Sequence, residues 1–188
     1  MRLFLAISLP ASVNAAIDAE LAPLRAAGPS LRWLAPARWH LTVRFIGEEP
    51  IERVAAIRRV LDEATSCHGA APLTLGGIGA FPNFRRARVV WLGVAPDPRL
   101  ELLHHDIETG CVALGFEAEG RPFRPHVTLA RVPDGTPEPE LRALSRAARR
   151  VRYSEVLAAA AVDLMASEPG PDGPRYRVLH SSPLGAAP

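Results

Sequence analysis

The sequence predicts an α+β fold of two pseudo-symmetric lobes, each a mainly antiparallel sheet with outer helices, around a central cleft. Three observations carry this reading. His40-Leu41-Thr42-Val43 is echoed in the second half of the chain by His126-Val127-Thr128-Leu129. Each copy reads as a strand that comes, at some distance, after another strand and a long helix, and each leads directly into a further helix. The composition, 48% hydrophobic and 22% charged, is that of a soluble globular chain with a sizeable core.

Taken in order, Leu3, Leu5, Ile7 and Leu9 alternate onto one face and make a first strand. A signal peptide is the lesser reading, because the apolar run is short and only Arg2 precedes it. Ser12 is the candidate N-cap of a helix over 13–27 that turns Ile17, Leu21 and Leu24 inward and stops at Gly28-Pro29. An extended piece at 31–34 precedes the first motif strand, 39–46, which Gly47 closes. Glu48, Glu49 and Pro50 suit the start of a helix, with acid at the positive dipole end and proline in the first turn. That helix carries Val54, Ile57, Val60 and Leu61 to about residue 65. Strands over 73–80 and 88–94 flank a loop at 81–86, and a second long helix spans 98–114 before Gly115. The second motif strand is 125–132 and a basic helix covers 138–150. Two last strands, 156–166 and 176–181, are separated by a loop at 168–174 rich in glycine and proline.

The net charge of +2 is too small to require a nucleic-acid partner. All 22 basic side chains are arginine; the guanidinium fork matches phosphate, but such uniformity reads first as the bias of a GC-rich genome. Cys67 and Cys111 fit no metal-ligand spacing and read as small buried hydrophobes of a reducing compartment. No stretch is long enough to span a membrane, and the expected location is cytoplasmic.

In a strand the side-chain period is two, so His40 shares a face with Thr42, and His126 with Thr128, while the aliphatic residues between them face a core. Two imidazoles converging on a phosphate form a general acid–base pair. One, neutral, takes a proton from the attacking water or hydroxyl; the other, protonated, gives one to the leaving oxygen. A threonine on the same face can donate to a non-bridging phosphate oxygen. The chemistry requires no metal, and neither motif contains a third ligand. One such tetrapeptide usually marks a structural histidine, but two drawn from six histidines are a strong signal.

Around the motifs stand Arg2-Leu3-Phe4-Leu5-Ala6-Ile7, the continuation Arg44-Phe45-Ile46-Gly47, Gly79-Ala80-Phe81-Pro82, Val89-Val90-Trp91-Leu92-Gly93, Phe123-Arg124-Pro125 before His126, Ala130-Arg131 after Leu129, and Tyr176-Arg177-Val178-Leu179. Together they resemble the bacterial RNA 2′,3′-cyclic phosphodiesterases, also called 2′-5′ RNA ligases, of the two-histidine phosphoesterase superfamily. The resemblance covers essentially the whole chain. It implies one bilobal domain over residues 1–188 that opens 2′,3′-cyclic phosphates of RNA or nucleotides to 2′-phosphates without metal, with weak reversible 2′-5′ ligation in some members. RNA ends or 2′,3′-cyclic nucleotides are the implied partners; no cofactor, metal or membrane is implied, and the chain is expected to be a monomer. By that likeness His126 is the general base, and His40 the general acid that protonates O3′. Thr42 and Thr128 hold the phosphate, Arg131 adds a charge-assisted contact, and Phe45 stacks on the terminal base.

Strict alternation conflicts with two of these roles. Phe45 is an odd number of residues from His40, and Arg131 from His126, so ideal strands turn both away from the cleft and select Arg44 instead. A bulge or twist near Arg44 and Ala130 is the alternative. Other functions compatible with the motifs are a non-catalytic RNA-end binder, a phosphodiesterase for another small cyclic phosphate, and a metal-dependent hydrolase with His40 and His126 as ligands. His104 and His105 are adjacent in a helix and face different ways, which suits joint metal binding poorly. His68 and His180 have no partner readable from sequence. Arg85, Arg86 and Arg88, beside Phe81 and Phe84, form either an RNA path or a solvated loop, and the arginines of 142–152 either touch RNA or cover an exposed helix.

Overall fold

The computed structural model describes residues 1–170 and 173–185. In chain order the elements are β1 (Arg2–Ser8), α1 (Ala11–Glu20), α2 (Ala22–Ala27), β2 (Arg32–Trp33), β3 (His40–Glu48), α3 (Val54–Ser66), β4 (Ala71–Phe81), β5 (Val89–Val94), α4 (Pro98–Ala113), β6 (His126–Arg131), α5 (Glu138–Ala148), β7 (Ser154–Ala159), β8 (Ala161–Glu168) and β9 (Arg175–Pro183). The strands join in the order β7-β4-β5-β6-β3-β1-β8-β9, with β2 beside β6, and neighbours run antiparallel.

The two expected lobes are the two halves of this sheet. Outward from β3 lie β1, β8 and β9; outward from β6 lie β5, β4 and β7. The motif strands are therefore the innermost strand of each half, and they meet through one residue pair, Leu41 with Val127. The sheet is bent back on itself. β7 and β8 lie six places apart in it, about 29 Å if it were flat. Yet Ala160 alone separates them in sequence, a reach of about 7.6 Å. The two edges must approach one another, which leaves a cleft over the β3–β6 seam.

One apolar cluster runs through both halves. It joins Leu3, Leu5 and Ile7 of β1 and Leu41 and Val127 of the motif strands to Ile17 and Leu24, Ile57 and Leu61, and Leu103 and Ile107 from the helices. The helices thus cover one face, and the motif histidines emerge on the other.

Several boundaries differ from expectation for identifiable reasons. The helix over 13–27 is two helices, because Pro23 falls in the first turn of α2 and proline is accommodated there rather than inside a helix. Ser12 is not its cap: α1 starts at Ala11, with Pro10 in the N-cap position and no side-chain cap bond. The strand expected at 156–166 divides at Ala160, where a run of alanines contains no turn residue to announce it. Gly47, at φ 101°, lies inside β3 instead of closing it. Cys111 is buried, but Cys67, at the end of α3, is exposed. His68 and His180 do have partners, Asp106 at 2.7 Å and Asp62 at 2.6 Å. Of the loop expected at 168–174, residues 171–172 lie outside the described residues.

Candidate active site

The motif strands bury their residues in the same pattern. His40 and Thr42 are half-buried, Leu41, Val43 and Arg44 are buried, and Phe45 is exposed; His126, Thr128, Val127, Leu129, Ala130 and Arg131 repeat this position for position. Two consecutive buried residues break the period of two, and the cause is a β-bulge in each strand. Against β1, Ala6 pairs with Thr42 but Leu5 with Arg44, so Val43 is the extra residue. Against β5, Trp91 pairs with Thr128 but Val90 with Ala130, so Leu129 is extra. Each bulge flips the parity of the rest of its strand, returning Phe45 and Arg131 to the histidine face. The choice of Arg44 for the cleft, which alternation makes, is overturned: Arg44 is 2% exposed.

Leu41 opposite Val127 fixes the local register. One residue to either side, antiparallel pairing sets His40 across from Thr128 and Thr42 across from His126. The two histidines lie diagonally about the seam, each facing the other motif's threonine. Neither threonine hydroxyl is bonded to protein among the described residues.

Both imidazoles are fixed in the same way. His40 Nδ1 donates to the Arg38 carbonyl at 2.8 Å, and His126 Nδ1 donates to the Arg124 carbonyl at 2.7 Å. A carbonyl only accepts, so Nδ1 carries the proton and Nε2 is left for chemistry. Aromatic rings wall each imidazole. Phe4 and Tyr176 lie 5.0 and 5.1 Å from His40, and Phe81 and Trp91 lie 4.9 and 6.3 Å from His126. The Trp91 ring lies against Gly79, where an added Cβ would come within 2.1 Å of it, so glycine is required there. Sequence reasoning did not place these four aromatics in the site. Phe4 carried a signal, since it stands on the face of β1 opposite Leu3, Leu5 and Ile7. A depression of 430 Å³ along α3, lined by Arg58, Arg59, Asp62 and Glu63, contains none of the motif residues.

The 2′-5′ RNA ligase superfamily profile matches residues 13–168. This chain belongs to that superfamily. A relative from Aeropyrum pernix named RNA 2′,3′-cyclic phosphodiesterase is 33% identical over 161 residues, covering 81% of this chain and 86% of the relative. One of the same name from Geobacillus stearothermophilus is 29% identical over 128 residues, and this chain spans 41% of its length. The crystal structure of E. coli LigT complexed with 3′-AMP matches with a TM-score of 0.76 at 29% identity, over 97% of both chains.

Burial holds the His40 imidazole below the ordinary histidine range, the Arg38 carbonyl contact works the other way, and charge on His126 adds to the lowering. Behind the first bulge, the buried Arg44 forms an ion pair with the half-buried Glu108 and donates to the Glu117 carbonyl at 2.7 Å. Glu108 accepts the Glu119 amide at 2.7 Å, and Glu119 accepts the Phe45 amide at 3.3 Å. His104 stacks on Phe123 at 4.1 Å and lies 3.9 Å from Glu119. His104, Glu108 and Glu119 are close enough together to suit a metal ion, but the cation in their midst is the Arg44 guanidinium. The network ties the bulge that aims Phe45 to the segment leading into His126.

Proposed function

We propose that this chain opens 2′,3′-cyclic phosphates at RNA or nucleotide ends, leaving a 2′-phosphate, by metal-independent acid–base catalysis. The observation that carries the reading is the pair of imidazoles with locked Nδ1 atoms, set diagonally on one face with a threonine opposite each. The substrate class comes from the relatives' name, RNA 2′,3′-cyclic phosphodiesterase.

His126 Nε2 takes a proton from water as the water oxygen attacks phosphorus. The P–O3′ bond breaks, and His40 delivers its Nε2 proton to O3′. One water is consumed; the products are a 2′-phosphate and a free 3′-hydroxyl, and the histidines exchange protons with solvent to reset. Thr42 and Thr128 donate to the non-bridging oxygens, Arg131 adds a charge-assisted bond, and Phe45 offers its exposed ring to the terminal base. A 5′-hydroxyl in the place of water gives a 2′-5′ linkage by the same steps, the weak ligation of the second activity. The acid role at His40 needs a proton that burial disfavours, and the anionic cyclic phosphate beside it restores the balance.

One observation favours a second reading with the roles exchanged. The lowered His40 value favours its neutral form, which suits a base. Exchange makes O2′ the leaving group and the product a 3′-phosphate. Product analysis on a 2′,3′-cyclic nucleotide with chelator present separates the cases. A 2′-phosphate supports the proposal and a 3′-phosphate reverses the histidines. Activity lost to chelator indicates a metal hydrolase, and binding without turnover indicates an RNA-end binder.

A further inference from the structure

Beyond Thr128 on the histidine face, Arg131 has a companion. Arg32 of β2 is its direct antiparallel partner, as Trp33 is of Ala130, so the two guanidiniums leave neighbouring strands on one face. Both residues are exposed. Like charges directly opposite one another on paired strands repel, and neither arginine has an ion pair or hydrogen bond to an acid among the described residues. The contrast with their surroundings is informative. Arg88, next along the edge, lies 3.7 Å from Asp134, and Glu140 is occupied by the amide and hydroxyl of Ser30 at 2.9 and 2.8 Å. The backbone of Arg32 is well held, because the Trp33 indole donates to the Gly28 carbonyl at 3.0 Å and the Leu34 amide to the Leu129 carbonyl at 2.8 Å.

The spacing names the anion. Thr128 pairs with Trp91 and Arg131 with Val89, two residues apart on β5. Their separation along the sheet is therefore about 7 Å, the scale of one nucleotide step in an extended strand. We propose that Arg32 binds the phosphodiester joining the terminal nucleotide to its 5′ neighbour, beside Arg131, which bridges from there to the cyclic phosphate, so that the site favours an oligoribonucleotide end over a cyclic mononucleotide. This rests on the phosphodiesterase reading and extends it to substrate length.

The test compares a 2′,3′-cyclic mononucleotide with a dinucleotide ending in a 2′,3′-cyclic phosphate, for the wild-type chain, Arg32→Ala, Arg32→Lys and Arg131→Ala. Arg32→Ala should lower kcat/KM for the dinucleotide about five- to tenfold, mainly through KM, and leave the mononucleotide within about twofold. Arg32→Lys should recover part of the loss, and the salt dependence of the dinucleotide's KM should weaken in Arg32→Ala by a log–log slope of about 0.7. Equal losses on both substrates, or no loss on either, overturn the subsite. If the wild type turns over neither substrate, it is the phosphodiesterase reading that fails. Equilibrium binding of a dinucleotide carrying a terminal 2′-phosphate then decides the subsite: tighter binding to wild type than to Arg32→Ala supports it, and equal binding overturns it.

Discussion

β3 and β6 share a bulge, a burial pattern and a hydrogen-bonded histidine, and differ at two positions beyond the bulge's extra residue. The second bulge residue is a buried arginine in β3 and an alanine in β6; the residue returned to the cleft is Phe45 in β3 and Arg131 in β6. What the halves share is backbone, and it provides a near-two-fold pair of imidazoles with Nδ1 bonded to the main chain. What they do not share breaks the two-fold. An RNA end has a base on one side of its cyclic phosphate and a charged strand on the other, so a symmetric site could bind it either way round. An apolar ring on one flank and a cation on the other give the proposed substrate one orientation, and with it one leaving oxygen.

The largest test of this comparison is to remove each histidine. His40→Ala and His126→Ala should each reduce turnover of a 2′,3′-cyclic nucleotide by about 10²–10⁴, with KM much less affected, in steady-state kinetics. Near wild-type turnover in either variant would mean that its half holds the substrate without doing chemistry.

Next comes the bulge position where the halves differ. Arg44→Ala leaves the half-buried Glu108 without its cation and should cost about 2–4 kcal/mol of stability in urea denaturation. The double change Arg44→Met with Glu108→Gln should recover much of it. If Arg44→Ala is as stable as wild type, the network behind β3 holds nothing in place.

The cleft residues should give smaller, distinguishable effects. Phe45→Ala and Arg131→Ala should each raise KM about tenfold. Only Arg131→Ala should also flatten the salt dependence, and only Phe45→Ala should erase preference among terminal bases. Identical behaviour of the two would remove the polarity that sets the substrate's orientation.

The smallest effects are in pH. With His40 as the acid, kcat/KM should fall as pH rises through a value below the ordinary histidine range, and His40→Ala should lose that limb of the bell. With His40 as the base, kcat/KM would instead fall as pH drops through it. Stability has its own sign. The unfolded chain binds this proton more readily than the folded one, so stability should decline as pH falls through the ordinary histidine range, and His40→Gln should lessen the decline. His104, also lowered chiefly by burial, contributes in the same direction.

The motif strands, the long helices and the face shared by each histidine and threonine were legible because a single periodicity encodes them. The bulges were not. Val43-Arg44 and Leu129-Ala130 contain no glycine or proline, and the slip comes from pairing with β1 and β5, which no local pattern records. The division of 156–166 into β7 and β8 was hidden similarly, since the chain leaves one half for the other with no turn residue to mark it. Phe4, Tyr176, Phe81 and Trp91 arrive from four different strands, and only the sheet order brings them to the histidines. Family likeness supplied the direction of Phe45 and Arg131, and the bulges supply its physical cause.

The Nδ1 bonds have a consequence for how this protein can be dissected. Arg38 and Arg124 each contribute a main-chain oxygen, and any amino acid at those positions presents the same atom. An alanine scan would pass over both without registering their part in setting the tautomer. Arg38→Ala and Arg124→Ala keep the acceptor whatever else they alter. Reaching it takes editing of the polymer itself, such as an ester in place of the amide between residues 38 and 39, which makes the preceding carbonyl a poorer acceptor. The instruction for which nitrogen carries the proton is written in the path of the chain, where side-chain genetics cannot read it.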